Sequence, residues 1–231
     1  MRVNFNLAEV ASILYPPLCL TCKNKISSKE QGICLECDHH LPRTNFQTTK
    51  ENKFTERFWG RIPVHTAAAM YYFNGNESVK KMIHGLKYEG KTKIGERIGR
   101  IFGKRLRKSS NFDDIDLILP VPLHWERQRE RGYNQSDCFG NGLSDSLDKE
   151  CRKDCLSRKV NTVSQTKKSI AERIENVSNI FEVEKPELLK GKHILLVDDV
   201  VTTGATLEAC AEAILKVPGT TVSMATIAIA V

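Results

Sequence analysis

Apolar residues along this chain fall into short dense runs, and the stretches between the runs carry apolar residues at helical spacing. VHTAAAMYYF (Val64–Phe73), IDLILPVP (Ile115–Pro122), NIFEV (Asn179–Val183), Lys192–Val197 and Thr220–Ala230 read as strands. Val79–Lys87, about Thr92–Lys108, Asn134–Leu147 and Ala205–Lys216 read as helices, with Asn76 or Ser78 of NGNES available as an N-cap for the first. Leu7–Leu14 reads as a further short helix, stopped by Pro16-Pro17. Strands separated by helical segments predict an α/β fold: a mostly parallel sheet with helices on both faces. Pro42–Ile62 is polar and reads as a linker. Ser157–Lys168 is polar, basic and patternless, and reads as a mobile loop.

The helix near Thr92–Lys108 divides its residues by chemistry. Ile94, Ile98, Ile101, Phe102 and Leu106 lie on one side, and Lys93, Arg97, Arg100, Lys104 and Arg107 form a stripe opposite. Asn76–Lys108 as a whole holds eleven Lys/Arg against three Glu, more surplus charge than the net +7 of the entire chain. Such a surface is either a solvated helix face or a contact for phosphates, of a small ligand or of nucleic acid. Composition is otherwise that of a soluble globular protein, 40% hydrophobic and 27% charged. No apolar run approaches the roughly 18 residues that span a bilayer, so membrane insertion is not expected. The short apolar stretch near the N-terminus is interrupted by a glutamate and lacks a small-residue cleavage site, which predicts a cytoplasmic protein.

Eight cysteines in a cytoplasmic chain argue against a disulfide framework. Four of them, in CLTCKNKISSKEQGICLEC, form two C-x-x-C knuckles: Cys19 with Cys22, and Cys34 with Cys37. Two knuckles can close a tetrahedral thiolate site for Zn²⁺, and four protein ligands make that zinc structural. His39 and His40 follow closely enough to replace one ligand, and four unrelated buried cysteines are the plainer alternative. Cys138, Cys151, Cys155 and Cys210 show no such pairing.

The most specific stretch is HILLVDDVVTTGAT, His193–Thr206. A buried strand runs into paired carboxylates and then into small and hydroxyl residues that open a helix. Small residues let backbone N–H groups approach an anion, the helix N-terminus favours negative charge, and Thr202, Thr203 and Thr206 add donors. Two carboxylates beside a phosphate make sense if they hold sugar hydroxyls, or a Mg²⁺ that those hydroxyls share. A phosphate plus a diol is a sugar phosphate.

ILLVDDVVTTGAT resembles the phosphoribosyl-pyrophosphate (PRPP) signature of type I phosphoribosyltransferases. The whole chain resembles one branch, the ComF-type proteins associated with bacterial competence and DNA uptake. The resemblance runs through the four-cysteine module, IHGLKYEG (Ile83–Gly90), PVPLHWERQRERGYNQ (Pro120–Gln135) and ERIENVSNIF (Glu172–Phe181). The ComF pattern more often has Phe where this chain has Tyr133. The resemblance implies a type I phosphoribosyltransferase fold over residues 64–231, a zinc module at 1–45 and a linker or hood at 46–63. It implies that Asp198 and Asp199 contact the ribose hydroxyls, that Val201, Thr202, Thr203, Gly204, Ala205 and Thr206 cradle the 5-phosphate, and that Mg²⁺ accompanies PRPP. The loop after Leu119 would meet the pyrophosphate, with Arg127, Arg129, Arg131 and Lys87 as candidates and Arg158–Lys168 as a lid. ERQRERGYNQ alternates Glu and Arg and has the alternative reading of a self-paired surface segment; the pyrophosphate role is the favoured one, with Arg131 foremost.

No residue stands out as a general base, and the acceptor is not legible. Phe54, Phe58 and Trp59 either stack on a base or belong to a domain interface. Three functions follow: a Mg²⁺-dependent pentosyl transferase, a single-stranded-DNA-binding competence factor working with other DNA-uptake proteins, and a PRPP-sensing regulator.

Overall fold

The computed structural model describes residues 16, 18–26, 33–159 and 180–231. The expected N-terminal helix at Leu7–Leu14, and residues 160–168 of the expected lid, lie outside the described residues, as do residues 169–179.

Five parallel strands form the central sheet in the order β1-β7-β6-β2-β3, with β1 at Ala67–Tyr72, β2 at Leu117–Pro120, β3 at Glu150–Cys151, β6 at His193–Val201 and β7 at Thr221–Ile229. The inner strands β6 and β7 are apolar almost throughout because both faces are covered by helices, as the unbroken apolar runs required. A separate antiparallel pair joins β4 (Leu156–Arg158) to β5 (Phe181–Val183). The residues expected to begin a mobile loop, Ser157 and Arg158, are therefore in a strand.

Chain order reverses at the centre of the main sheet. From β2 the chain passes outward to β3, whereas from β6 it passes the other way to β7 and β1 lies beyond. The boundary between β2 and β6 is the switch point at which α/β sheets open a crevice at the strands' C-terminal ends. Pairing between these strands stops at Pro120↔Val197, while β6 continues along β7 to Val201↔Ile229. Asp198–Val201 thus project past the end of β2.

Helix α2 (Glu77–Tyr88) is capped by the Asn76 side chain, which accepts from Val79 N–H, and α3 spans Thr92–Leu106. Between β2 and the next long helix, α5 (Gln135–Leu147), lies a short helix that the sequence pattern did not predict, α4 (Trp125–Arg131), closed by Gly132 at φ 76°. Helix α7 (Ala205–Leu215) follows β6, and the one-turn α1 (Leu35–His39) and α6 (Pro186–Leu189) complete the helices of the described residues.

Helices α3 and α5 are pressed together along a glycine seam. A Cβ at Gly99 would come 2.3 Å from the Phe139 carbonyl oxygen, and one at Gly142 would come 2.0 Å from the Glu96 carbonyl oxygen. This spacing explains why Gly95, Gly99 and Gly103 repeat every four residues on a helix that otherwise would avoid them.

The basic stripe on α3 is largely committed to the fold. Arg97 donates to the Ile33 carbonyl of the cysteine module, Arg100 pairs with Asp145 at 3.1 Å, and Arg107 donates to the Ser146 carbonyl at 3.2 Å. Lys93, Lys104 and Arg107 of the five are exposed and form no ion pair among the described residues, and Arg107 of these three holds the Ser146 carbonyl. The arginines of this basic face thus also reach neighbouring elements.

The segment read as a polar linker is packed. Phe46, Phe54, Phe58 and Ile62 are buried, and the buried Asn52 amide donates to the carbonyls of Phe46, Thr49 and Ala67. Pro42 and Arg43 add an antiparallel contact to the β1 edge, through Tyr72 N–H donating to the Pro42 carbonyl and the Arg43↔Tyr71 bridge. Phe54 and Phe58 therefore belong to the core; Trp59 beside them is exposed.

Candidate functional site

The acidic pair stands at the switch point with its two carboxylates held differently. Asp198 Oδ1 accepts from Ser136 Oγ at 2.7 Å and from the Asp199 backbone N–H at 2.8 Å. Burial, and then the neighbouring Asp199 charge, push the Asp198 carboxyl well above the usual carboxylate range, against the opposing pull of Ser136, the Asp199 amide and Lys87. Asp199 is 4% exposed, and its Oδ2 lies 3.0 Å from Lys87 Nζ, within ion-pair range but without hydrogen-bond geometry. A buried carboxylate oxygen with no directed donor is a position that a hydroxyl or a hard cation would satisfy.

Beyond Val201 the chain turns through Thr202, Thr203 and Gly204 into α7. Thr202, Thr203, Ala205 and Thr206 are exposed around a small open pocket whose wall also includes Asp198, Val200 and Leu207. Gly204 sits at φ 88°, and a Cβ there would stand 3.1 Å from two ring atoms of Phe58. The loop thus rests on a core aromatic, and its glycine meets both a left-handed backbone and a close ring. Arg61 ties the same segment to α7 through Glu208 at 2.7 Å. The first residues of α7, Ala205 and Thr206, line this pocket, and a helix N-terminus suits a phosphate.

The arginine candidates separate. Arg131 donates to Gln135 Oε1 at 3.0 Å and lies 4.9 Å from the centroid of Tyr88, next to Lys87. Arg127 and Arg129 are exposed on α4 and make no ion pair among the described residues. Self-pairing within this segment is absent among the described residues, since Glu126 pairs only with His124 at 3.5 Å. Lys87 and Arg131 are therefore placed by the fold, whereas the other two stand free at the rim.

The sulfurs of Cys19, Cys22, Cys34 and Cys37 lie within 4.8 Å of one another. A tetrahedron of sulfurs about 2.3 Å from zinc has edges of roughly 3.8 Å, and the Cys22–Cys34 pair is 3.8 Å apart. Burial opposes ionisation of Cys19, yet the N–H groups of Cys22, Cys34 and Thr21 outweigh it and hold that thiol down at about 6. The four thiols fit a closed metal centre, and such a centre can hold an ion such as zinc. His40 Nδ1 is engaged 2.7 Å from the Glu36 carbonyl oxygen, and neither histidine belongs to the four-ligand group. Leu20, inside the first knuckle, packs against α2, where it would lie 3.2 Å from a Cβ at Gly85. The cysteine module is thereby joined to the helix that carries Lys87.

Sequence reasoning missed Ser136 and Gln135 as parts of the site, because they are ordinary polar residues at a helix start and only the sheet order brings them to it. Phe58, read as a base-stacking or interface aromatic, instead supports the loop at Gly204.

Residues 138–230 match the family model described as the phosphoribosyl transferase domain. Over 225 residues, covering 90% of this chain and 95% of the relative, the sequence is 28% identical to DNA utilization protein YhgH of Shigella flexneri. It is 26% identical over 208 residues to Competence protein F of Haemophilus influenzae, covering 86% of this chain and 90% of that protein. It is also 26% identical over 200 residues to Competence protein ComFC of Bacillus subtilis, covering 86% and 78%. A parallel sheet flanked by helices, an N-terminal four-cysteine group and these relatives together support the ComF family, with a phosphoribosyltransferase domain.

Proposed function

We propose that the protein binds PRPP together with Mg²⁺ and transfers its phosphoribosyl group to a nitrogen nucleophile, in the service of DNA uptake or utilization. The observation that carries this reading is the junction of Asp198-Asp199 with the Thr202–Thr206 loop at the β2/β6 switch point, with Lys87 at 3.0 Å from Asp199. The loop and the α7 N-terminus receive the 5-phosphate, and the carboxylates receive the ribose diol. Lys87 and Arg131 face the side where the pyrophosphate would leave, with Arg127 and Arg129 free to close on it. Mg²⁺, held by Asp198, Asp199 or the diol they bind, would supply charge stabilisation for the leaving pyrophosphate. The chain's own share is orientation and a fixed field: the C1–O bond to pyrophosphate breaks, positive charge develops on the ribose beside the buried carboxylates, and the nitrogen lone pair forms the new bond. Zn²⁺ in the four-cysteine centre would be structural, fixing α2 and with it Lys87. The names of the relatives support a role alongside DNA-uptake proteins.

Incubation with PRPP, Mg²⁺ and a panel of nitrogenous bases tests turnover. Acceptor-dependent pyrophosphate release that collapses in Arg131→Ala supports transfer. Binding without release under any acceptor favours a PRPP sensor and contradicts catalysis.

A second reading has its own observation. Lys23 of the first knuckle and Lys80, Lys81 and His84 of α2 line an open groove with Leu20 and Glu89. Its charge suits the backbone of single-stranded DNA. Neutralising Lys23, Lys80 and Lys81 should then weaken DNA binding and flatten its salt dependence, more than neutralising Arg97, Arg100 and Lys104 of the largely committed stripe. Salt-insensitive binding would contradict the reading.

A further inference from the structure

Four consecutive residues that lead from the α4–α5 turn into the first turn of α5 each hold a different wall of the crevice. Tyr133 donates its hydroxyl to the Leu86 carbonyl, in the turn of α2 that presents Lys87. The Asn134 amide donates to the Val121 carbonyl at 3.0 Å, fixing the chain just beyond β2, while its Oδ1 caps α5 by accepting from Ser136 N–H at 3.1 Å. Gln135 Oε1 accepts from Arg131 at 3.0 Å, and Ser136 Oγ donates to Asp198 at 2.7 Å. Asn134, Gln135 and Ser136 are 6%, 5% and 1% exposed, so their own ends of these bonds are shielded from water. Three separate polar side chains buried at a helix start would each carry a desolvation cost, and all three offset it on groups of the crevice.

We infer that Tyr133–Ser136 is the positioning frame of the site, in which Ser136 orients the diol-binding carboxylate and Gln135 orients the pyrophosphate-facing arginine. This rests on the PRPP reading above. The two ends of the ligand are thus set by adjacent residues of one rigid helix start, and their separation is fixed by the covalent backbone. The Tyr133 hydroxyl adds a tie to the Lys87 turn that a Phe there would not provide.

The two orienting residues make separable predictions because ribose 5-phosphate carries the diol and the 5-phosphate but no pyrophosphate. Calorimetry with Mg²⁺ should find that Ser136→Ala weakens PRPP and ribose 5-phosphate alike, by about tenfold for the loss of a hydrogen bond to a charged group. Gln135→Met, which keeps the buried volume, should weaken PRPP by a similar factor and leave ribose 5-phosphate unchanged. Thermal melting of each variant checks that it is folded. Equal losses on both ligands in both variants would reduce the frame to general structural support and overturn the assignment, as would no loss in either. A wild type that binds neither ligand would instead overturn the PRPP reading, and the assignment with it.

Discussion

Lys87 Nζ stands 3.0 Å from Asp199 Oδ2 across the gap between α2 and the end of β6. The lysine is the only cation paired with the acidic couple among the described residues, and its partner is almost wholly buried. The pair has a consequence for stability before any ligand arrives. Lys87→Met leaves Asp199 without its counter-charge, and a buried carboxylate so stranded costs on the order of 1–3 kcal/mol. Urea denaturation should show a lower midpoint for the variant, and an unchanged midpoint would mean that the pair contributes nothing.

Asp198 predicts a pH effect of definite sign. Its folded-state pKa is raised, by burial first and Asp199 second, so the fold binds this proton more tightly than the unfolded chain does. Its contribution to stability is therefore fullest at low pH and falls as pH rises through the folded value. Asn mimics the neutral form at every pH and can still accept from Ser136 and from the Asp199 amide. Asp198→Asn should stabilise the protein more at pH 9 than at pH 5, and least below pH 3, where the carboxyl is neutral in both states. A gain that is the same at both would contradict the raised pKa.

Gly204 is expected to be intolerant of substitution for two independent reasons. Its φ of 88° strains any L-residue, and the Phe58 ring leaves a Cβ only 3.1 Å. Gly204→Ala should cost about 1–3 kcal/mol and weaken phosphate binding, measured by thermal melting and by titration with ribose 5-phosphate. Full binding in a stable variant would mean that the loop is not held as described.

The cysteine centre predicts one zinc per chain in protein purified without chelator. Its removal should loosen the first knuckle, whose Leu20 packs on α2 at Gly85. Substoichiometric metal by elemental analysis, or a melting temperature indifferent to chelation, would count against a structural zinc.

Much of this was legible in the chain because the signals were local. The run His193–Val197 followed by two aspartates announces a strand and its acidic pair, although the strand runs on to Val201, and C-x-x-C knuckles announce themselves by spacing. What was not legible depended on distant elements. The stripe of Lys93, Arg97, Arg100, Lys104 and Arg107 is correct as a helix face, but whether its arginines are free depends on Ile33, Asp145 and Ser146, which only the packing brings near. The polar composition of Pro42–Ile62 hid four buried apolar side chains, since irregular segments give no periodicity to read. The Gly95-Gly99-Gly103 repeat was a usable signal for close helix contact that periodicity of apolar residues passes over. Ser136 and Gln135 acquire their roles only when sheet order places α5 beside β6.

The central claim is that the acidic pair and the threonine loop form one PRPP site. Calorimetric titration of PRPP with Mg²⁺ into the wild type and into Asp198→Asn/Asp199→Asn tests it most directly. The account predicts saturable binding to the wild type that disappears in the folded double variant. Undiminished binding in that variant, or none in the folded wild type, would contradict it.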